Sequence, residues 1–320
     1  MCESAPQNTV LLIGFMSSQQ KDPPKTGTIA SIQYGKFLVD YGGERLTLEV
    51  GRNLPYKLQK ELVVGDHVML IEKNNEVRIT SRLKRQNTLM RLKGKQRRPR
   101  KQVIAANIDL AVIVAAKQKP RFHPGLIDRY LILSRYGGVE PLICLNKADL
   151  DGDPEDLELL AWYQEHLSVP VVFTSAKENA GIDSLREVLH DKTAVLVGNS
   201  GAGKTSLVNA LMPHLDLKIG DVDRFGDGRH TTTCSGLFQW EEGSAIIDTP
   251  GIRSLEVSII PKDALRLGFP EFEEHLVRCT FSNCSHDHEP ECGVFQAVEQ
   301  GIISASRYES YLSILSSYVD

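Results

Sequence analysis

The stretch TAVLVGNSGAGKTSLVNAL, residues 193–211, decides the fold of this 320-residue chain. An apolar run leads into the pattern G-x-x-x-x-G-K-[ST], after which apolar residues recur at helical spacing. This pattern is typical of a phosphate-binding loop between a strand and a helix, where backbone N–H groups face one anion. We expect Lys204 to reach the β- and γ-phosphates of a nucleotide and Thr205 to bind Mg²⁺. A glycine-rich turn without a ligand is the alternative, and the Lys-Thr pair argues against it.

Two motifs that come earlier in the chain predict that the nucleotide carries guanine. NKAD starts at Asn146 and SAK at Ser175, and each follows an apolar run that is typical of a strand. Asp149 is expected to pair with N1–H and with the exocyclic amine of guanine, and adenine lacks that amine. Asn146 would bond the base edge, the alkyl stem of Lys147 would cover the base, and the N–H of Ala176 would meet O6. NKAD alone also fits a helix N-cap loop, but the two motifs together predict GTP.

Two further motifs complete the expected nucleotide site. DTPG follows another apolar run, so we expect Asp248 to hold Mg²⁺ through water and the N–H of Gly251 to meet the γ-phosphate. RHTTT lies between the phosphate loop and DTPG, where a first switch segment belongs, and Thr232 is our candidate for the Mg²⁺-binding threonine. A polar loop is the alternative for RHTTT. The expected nucleotide contacts are Asn146, Lys147, Asp149, Ser175, Ala176, Lys177, Gly198, Asn199, Ser200, Gly201, Ala202, Gly203, Lys204, Thr205, Ser206, Thr232, Asp248 and Gly251.

The order of these motifs along the chain is unusual. It runs NKAD, SAK, GNSGAGKT, RHTTT, DTPG, whereas the phosphate loop comes first in the usual GTPase order. A circular permutation accounts for this order, because domain termini often lie close enough to be joined while new ones open elsewhere. The segment after DTPG then leads directly into the C-terminal region, so GTP-dependent ordering of a switch could be transmitted there.

The sequence divides into five regions. Residues 103–257 alternate strands and helices, which predicts an α/β domain with a mostly parallel sheet and helices on both faces. Residues 25–82 read as five short strands punctuated by Gly and Asn, which predicts an RNA-binding barrel of the OB type; an SH3-like barrel or a small sandwich is the alternative. Residues 258–320 read as helices around a metal site and residues 83–102 as a basic linker. Residues 1–24 read as a loose arm rather than a signal peptide.

The linker region is strongly basic although the chain as a whole is not. Residues 82–101 hold ten basic residues and no acidic one, while the net charge of the chain is −4. So many like charges repel one another unless a polyanion neutralises them, and RNA phosphate is the obvious candidate. A solvated linker without a partner is the alternative. Because the sequence contains no run of about 18 apolar residues, we expect no membrane span.

A group of cysteines near the C-terminus predicts a metal site. Three of the six cysteines fall within the stretch CTFSNCSHDHEPEC, residues 279–292. With His286 or His288 they provide three thiolates and one imidazole, which suit tetrahedral Zn²⁺. Four protein ligands leave no position for water, so the ion should be structural and a chelator should unfold this segment. Buried free cysteines are the alternative, and the scattered remaining cysteines indicate a reducing compartment.

These motifs, together with AANID, GRHTTT and RYESY, give the chain a specific resemblance. Over about residues 25–315 it resembles the bacterial ribosome small-subunit-dependent GTPase A family (RsgA, also YjeQ). The resemblance implies an N-terminal OB domain, a circularly permuted GTPase and a C-terminal zinc domain. The family's phosphate loop usually ends in Ser where this chain has Thr205, which keeps the hydroxyl for Mg²⁺. The zinc ligands that the family pattern implies are Cys279, Cys284, His286 and Cys292.

Hydrolysis needs a group that positions the attacking water. Many GTPases place Gln after the glycine of DxxG, but this chain has Ile252, which cannot hydrogen-bond, so slow intrinsic hydrolysis is expected. His230 is our candidate because imidazole accepts a proton or a hydrogen bond near neutral pH, and the resemblance implies the same residue. Contact of His230 with RNA or solvent is the alternative, and Arg229 could instead reach phosphate. The expected catalytic residues are therefore His230, Lys204 and Thr205.

The resemblance also implies a role. It implies a GTP hydrolase that the small ribosomal subunit stimulates and that acts late in the maturation of that subunit. Its ligands would be GTP or GDP, Mg²⁺ and one structural Zn²⁺, and its partners the small subunit and its rRNA. We expect a cytoplasmic monomer. A GTP-gated RNA-binding or translation-type factor in which hydrolysis is incidental is the alternative, and NKAD argues against a metabolic P-loop kinase.

Overall fold

A computed structural model describes residues 25–33, 36–49, 55–73, 76–93, 100–213, 236–248 and 257–318. The strands within these ranges are β1 (Lys25–Gln33), β2 (Lys36–Tyr41), β3 (Glu44–Leu48), β4 (His67–Lys73), β5 (Glu76–Arg82), β6 (Thr88–Lys93), β7 (Arg100–Ala106), β8 (Leu110–Ala116), β9 (Glu140–Asn146), β10 (Val171–Phe173), β11 (Thr193–Val197), β12 (Gly236–Glu241) and β13 (Ser244–Asp248).

The α-helices in the same ranges are α1 (Tyr56–Glu61), α2 (Pro124–Gly137), α3 (Pro154–Leu167), α4 (Ile182–Val188), α5 (Lys204–Leu211), α6 (Glu273–Leu276), α7 (Gly293–Glu299) and α8 (Ala305–Leu315). Short 3₁₀ helices cover Val257–Ile259, Lys262–Gly268 and Pro270–Phe272. None of the helices described here is long and apolar enough to span a bilayer.

Parallel strands form the centre of the main sheet, in the order β10-β9-β8-β11-β13. The side chains of β8, which reads LAVIVAA, alternate between two apolar layers. Ile113 belongs to one layer with Leu131 of α2, and Val114 belongs to the other with Leu207 of α5. Both faces of the strand are buried because helices cover both faces of the sheet. The alternation of strands and helices predicted from the sequence is confirmed.

The N-terminal strands extend this sheet in antiparallel fashion. β1 pairs with β2 and β4, β2 also pairs with β3, and β4 with β5. Ile29, Val39, Leu70 and Ile79 form the centre of a small separate core. Five strands therefore lie where the sequence indicates them. Within the described residues β3 and β5 share no ladder, and the barrel of the OB type stays a prediction.

Two close contacts join the N-terminal strands to the nucleotide domain. β1 pairs with β12, where Ser31 lies opposite Gly236, and Ala106 donates its N–H to the carbonyl of Val64 at 3.1 Å. A Cβ on the neighbouring Gly65 would lie 2.0 Å from the carbonyl oxygen of Ala106, and Gly65 has φ +85°. This joint requires glycine, because only glycine combines such an angle with so close an approach.

β6 and β7 pair as an antiparallel hairpin in the region that the sequence marks as a basic linker, residues 83–102. Leu89 on β6 and Ala105 on β7 are buried in the same core cluster as Leu131 of α2. The described strands of this region therefore pack on the nucleotide domain, and in them the structure differs from the linker expected from the sequence. The physical reason is that each strand of the hairpin contributes an apolar side chain, Leu89 or Ala105, to this core.

The C-terminal region packs on the nucleotide domain and shares its core. Phe269, Phe272 and Ile314 are buried in the same cluster as Leu131 of α2. Farther along the chain, the hydroxyl of Tyr318 donates to the carbonyl of Val257 at 2.8 Å. The end of the described chain therefore contacts the 3₁₀ helix Val257–Ile259.

A buried arginine fastens this contact. Arg307 of α8 is fully buried and donates from Nε to Oε1 of Glu271 at 2.8 Å. Its two terminal nitrogens donate to Oδ1 of Asp128 on α2 and to the carbonyl of Gly268. The hydroxyl of Tyr163 on α3 donates to the same oxygen of Asp128 at 2.5 Å. Helices α2, α3 and α8 thus meet at one charged network in the interior.

Candidate nucleotide and metal sites

The phosphate loop links β11 to α5, as the sequence predicts. β11 ends at Val197 and α5 begins at Lys204. Lys204 is buried, and its Nζ donates to the carbonyls of Gly198 at 2.8 Å and Asn199 at 2.7 Å. These bonds hold the ammonium group against the loop, beside a helix N-terminus that favours negative charge. The buried Thr205 follows it in the first turn of α5.

Asn146 places the NKAD motif directly against this loop. It lies at the end of β9, is 1% exposed, and donates from Nδ2 to the carbonyl of Ala202 at 2.9 Å. Its Oδ1 accepts from the N–H of Ala176 at 3.2 Å. A Cβ on Gly203 would lie 2.1 Å from Nδ2 of Asn146, and Gly203 has φ +96°. One amide side chain therefore joins the NKAD, SAK and phosphate-loop segments.

Lys147 and Asp149, also in NKAD, each form hydrogen bonds with neighbouring segments. Lys147 donates from Nζ to the carbonyl of Gly201 at 2.7 Å and also to the carbonyl of Lys119. Asp149 is exposed, and its Oδ1 accepts from the hydroxyl of Ser175 at 2.6 Å. This hydrogen bond lowers the pKa of Asp149. The carboxylate is therefore ionised at neutral pH and available to accept hydrogen bonds.

Some of the remaining site residues expected from the sequence lie within the described residues, and others do not. Ser200 and Ser206 lie in the loop and in the first turn of α5, while Lys177 donates to Glu178 at 2.8 Å on the surface. Asp248 ends β13, and its side chain is not among the described parts. The positions that lie outside the described residues are His230, Thr232 and Gly251.

The cysteine cluster comes together as the sequence predicts. One ligand atom from each of its four residues lies within 4.8 Å of every other: Cys279, Cys284, His286 and Cys292. Nδ1 of His286 lies 3.6 Å from Sγ of Cys279 and 3.4 Å from Sγ of Cys292. Tetrahedral Zn²⁺ with its usual bond lengths would place nitrogen and sulfur roughly 3.5 Å apart. The donor set and its spacing therefore fit zinc.

The protonation chemistry of the cluster also fits a cation. Burial, and after it the neighbouring Cys292 and Cys279, raise the pKa of Cys284 to about 12. Thiolates this close together need a positive charge between them. Burial lowers the pKa of His286, which favours the neutral imidazole that binds metals. His288 is exposed and faces Asp287 at 3.5 Å, so it does not serve as the fourth ligand in this geometry.

Comparison with known sequence families decides where the chain belongs. The profile of the family described as RsgA GTPase matches residues 82–258, which is more than half of the chain. This chain belongs to the RsgA GTPase family. It is therefore a GTPase, a class of hydrolase.

Relatives of this RsgA GTPase family member extend the match over nearly the whole chain. The small ribosomal subunit biogenesis GTPase RsgA of Pseudomonas aeruginosa (strain LESB58) is 37% identical over 313 residues, covering 94% of this chain and 90% of the relative. The crystal structure of YjeQ from Thermotoga maritima superposes with a TM-score of 0.74 at 32% identity, covering 92% and 98% of the two chains. YloQ, a circularly permuted GTPase, gives a TM-score of 0.69 at 30% identity, covering 94% and 96%. A solved relative is thus described as circularly permuted, which is what the order of the motifs predicts for this chain.

Two residues outside the predicted motifs form hydrogen bonds with site residues of this RsgA GTPase. Thr174 is buried and donates from Oγ1 to Oδ1 of Asn146 at 3.3 Å, so it orients that amide. Lys119 contributes its backbone carbonyl to Lys147. Thr174 directly precedes SAK, and that adjacency is the one hint in the sequence. Nothing in the sequence marks Lys119, because a backbone carbonyl is common to every residue type.

Proposed function

We propose that this chain binds one guanine nucleotide between NKAD, SAK and the phosphate loop and hydrolyses GTP there. The bond from Nδ2 of Asn146 to the carbonyl of Ala202, 2.9 Å long, is the observation that carries the proposal. It brings the base-reading motif against the loop that would hold the phosphates. Asp149, ionised beside Ser175, would read N1–H and the exocyclic amine of guanine. The N–H of Ala176 would meet O6.

The phosphates would bind along the loop from Gly198 to Ser206. Lys204 would reach the β- and γ-phosphates, and the N–H of Gly251 would meet the γ-phosphate. The hydroxyl of Thr205 and the carboxylate of Asp248, joined by Thr232, would hold Mg²⁺. Oxygen donors of this kind suit that hard cation, and when bound it neutralises the charge that develops on the phosphate oxygens.

His230 would position the attacking water. The family's hydrolysis needs such a group, and Ile252 in the position after the DTPG glycine has no polar atom to offer. An imidazole that is neutral near pH 7 accepts a hydrogen bond from water. Intrinsic hydrolysis would therefore be slow, and a partner would be needed to stimulate it.

The partner we propose is the small ribosomal subunit during late maturation. The relative from Pseudomonas aeruginosa bears the name small ribosomal subunit biogenesis GTPase. A barrel of the OB type at residues 25–82 and the basic segment at residues 83–102 would bind rRNA, since cations clustered in one segment favour a phosphate backbone. We propose that the chain works as a cytoplasmic monomer and that the subunit stimulates GTP turnover as an assembly checkpoint.

One structural zinc ion would complete the C-terminal region. Three thiolates and one imidazole would hold Zn²⁺, and four protein ligands leave no place for water or substrate. The ion would then stabilise the fold of residues 279–292 and take no part in hydrolysis. One equivalent of zinc per chain, measured by elemental analysis, is the expected stoichiometry.

The test of the proposed function is GTP turnover with and without purified small ribosomal subunits. We expect slow turnover by the chain alone, strong stimulation by the subunit, and no turnover of ATP. His230→Ala is expected to keep GDP affinity and lose the stimulated rate. GTP-dependent binding to the subunit without any stimulation would instead support a GTP-gated RNA-binding factor. Stimulated turnover by His230→Ala at the wild-type rate would remove His230 from the mechanism.

A further inference from the structure

The backbone of the candidate metal loop is held in an unusual conformation at the ligand His286. This residue has φ +59°, in the left-handed region that residues with a Cβ seldom adopt. Such a conformation persists only where surrounding contacts fix it from several sides. The structure shows contacts of that kind on both sides of His286, made by side chains of Glu289, Tyr308 and Tyr311.

Glu289 binds the loop from the inside of the turn. One carboxylate oxygen accepts from the N–H of Ser285 at 2.6 Å and from its hydroxyl at 2.7 Å. The other oxygen accepts from the N–H of Asp287 at 3.2 Å and of His288 at 3.3 Å. A carboxylate that accepts several N–H bonds fixes the backbone that carries them. Both flanks of His286 are tied to one side chain.

Two tyrosines of α8 bind the same loop from the outside. The hydroxyl of Tyr308 donates to the carbonyl of His286 at 2.7 Å, and the hydroxyl of Tyr311 donates to the carbonyl of Ser285 at 2.7 Å. Both tyrosines are 7% exposed, so these bonds are made where water competes little. The rings of Tyr311 and Phe272 also lie 6.3 Å and 6.2 Å from the imidazole of His286. Hydrogen bonds thus fix the backbone at His286, and aromatic rings pack against its imidazole.

We propose that Tyr308, Tyr311 and Glu289 are positioning residues that hold His286 in its zinc-binding geometry whether or not the ion is bound. This inference rests on the proposed zinc site. A loop that is already ordered loses less conformational freedom when the ion binds, so its affinity for zinc is higher. Mutation of residues that hydrogen-bond to metal ligands commonly lowers metal affinity about tenfold to hundredfold. The motif RYESY, which the sequence offers without a role, thereby acquires one.

Zinc affinity of the full-length chain tests the proposal directly. We would measure it by competition with a chromogenic chelator of known zinc affinity, for Tyr308→Phe, Tyr311→Phe and the double variant. Each single loss of a hydrogen bond should weaken zinc binding roughly fivefold, and the double variant should reach tenfold to hundredfold. Glu289→Gln should weaken binding at least as much as either tyrosine variant, since it removes the charge and replaces one accepting oxygen with an NH₂ group that cannot accept.

Tyr318→Phe is the matched control. Its hydroxyl also donates to a backbone carbonyl, that of Val257 at 2.8 Å, which lies outside residues 279–292. We expect its zinc affinity to stay within about twofold of wild type, while urea unfolding reports any general loss of stability in all variants. Equal zinc affinity of the double variant and wild type would overturn the inference and leave the zinc site intact. A wild-type chain that takes up no zinc would overturn the zinc site and the inference together.

Discussion

At the scale of single residues, both the backbone angle of Gly203 and the closeness of Asn146 require glycine at this position. Its backbone has φ +96°, and a Cβ on it would lie 2.1 Å from Nδ2 of Asn146. The same nitrogen donates to the carbonyl of Ala202, so glycine here allows the base-reading amide to approach the phosphate loop. A side chain at this position would separate two segments that one nucleotide has to span.

The first prediction concerns that approach. Gly203→Ala should weaken GDP binding strongly, because the new methyl group and the amide of Asn146 cannot occupy the same space. Gly42→Ala is the control, because Gly42 lies outside the nucleotide site and also has a positive φ, +61°, but no atom within 4 Å of its Cβ. Titration calorimetry with GDP compares the two. Equal losses in both variants would mean that contact with Asn146 plays no part.

The second prediction concerns the choice of base. Asp149→Asn should lower GDP affinity and favour xanthosine diphosphate, because an amide can donate to the oxygen that replaces the exocyclic amine. Two hydrogen bonds to a charged group are worth about 3–6 kcal/mol, so the loss should be roughly 10²- to 10⁴-fold. Asp151→Asn makes the same change two residues away and should leave affinity unaltered. A variant at Asp149 that binds both nucleotides as wild type does would remove Asp149 from base recognition.

The sequence predicted the site residues that occur in motifs. It did not predict the residues that orient them. Asn146, Lys204 and the ligands of the metal cluster occur in patterns whose spacing carries their chemistry. Thr174 is an ordinary strand residue in the sequence, and its bond to Asn146 depends on how two neighbouring strands are aligned. Such alignment is a property of the folded sheet.

At the scale of elements, the junction between the N-terminal strands and the nucleotide domain is made by backbones in close contact. β1 pairs with β12, which starts just after the RHTTT segment, and Gly65 lies against the carbonyl of Ala106. The sequence predicted the strands because Gly and Asn punctuate short strand-like runs. It could not predict the junction, because pairing partners far apart in sequence are set by the whole fold.

The third prediction tests this junction. Gly65→Ala should destabilise the chain beyond the cost of its backbone angle, since its Cβ would lie 2.0 Å from the carbonyl oxygen of Ala106. Gly43→Ala is the control, with φ +83° and no atom within 4 Å of its Cβ. The angle alone costs about 1–2 kcal/mol, which is the full effect expected at Gly43. Urea unfolding followed by circular dichroism should therefore show the larger loss at Gly65, and equal losses would contradict the close junction.

In the basic segment, the many charged residues made the hairpin of β6 and β7 difficult to predict from the sequence. Ten cations in residues 82–101 dominate the pattern and indicate a linker. The hairpin of β6 and β7 is nevertheless anchored by Leu89 and Ala105 in the core. A few buried apolar side chains are enough to fix a hairpin against a helix, although they are a minority of its residues.

At the scale of the whole molecule, a buried ionic network unites regions that the sequence separates. Arg307 of α8 binds Asp128 of α2 and Glu271, and all three are buried or nearly so. Its guanidinium also lies 4.3 Å from the ring centre of Phe269. No pattern in the sequence pairs Arg307 with carboxylates of distant elements, and so the packing of the C-terminal region on α2 was not predictable.

The fourth prediction follows from that burial. Arg307→Ala leaves two carboxylates uncompensated in the interior and should lower the free energy of unfolding by about 3–5 kcal/mol. Arg129→Ala is the control, because Arg129 also links α2 to α8, through Ser313 at 3.3 Å, but does so at the surface. Exposed contacts of this kind are worth about 0–1 kcal/mol. Urea unfolding distinguishes the two, and a loss at Arg307 no larger than that at Arg129 would contradict a structural role for the network.

The central claim is that motifs in permuted order surround one guanine nucleotide, and a crystal structure with GDP and Mg²⁺ tests it most directly. We predict the base between Lys147 and Ala176 with Asp149 on its N1 edge, and the diphosphate along the loop that ends at Lys204. A nucleotide whose base lies away from Asp149 while its phosphates occupy the loop, or one bound elsewhere, would contradict the account.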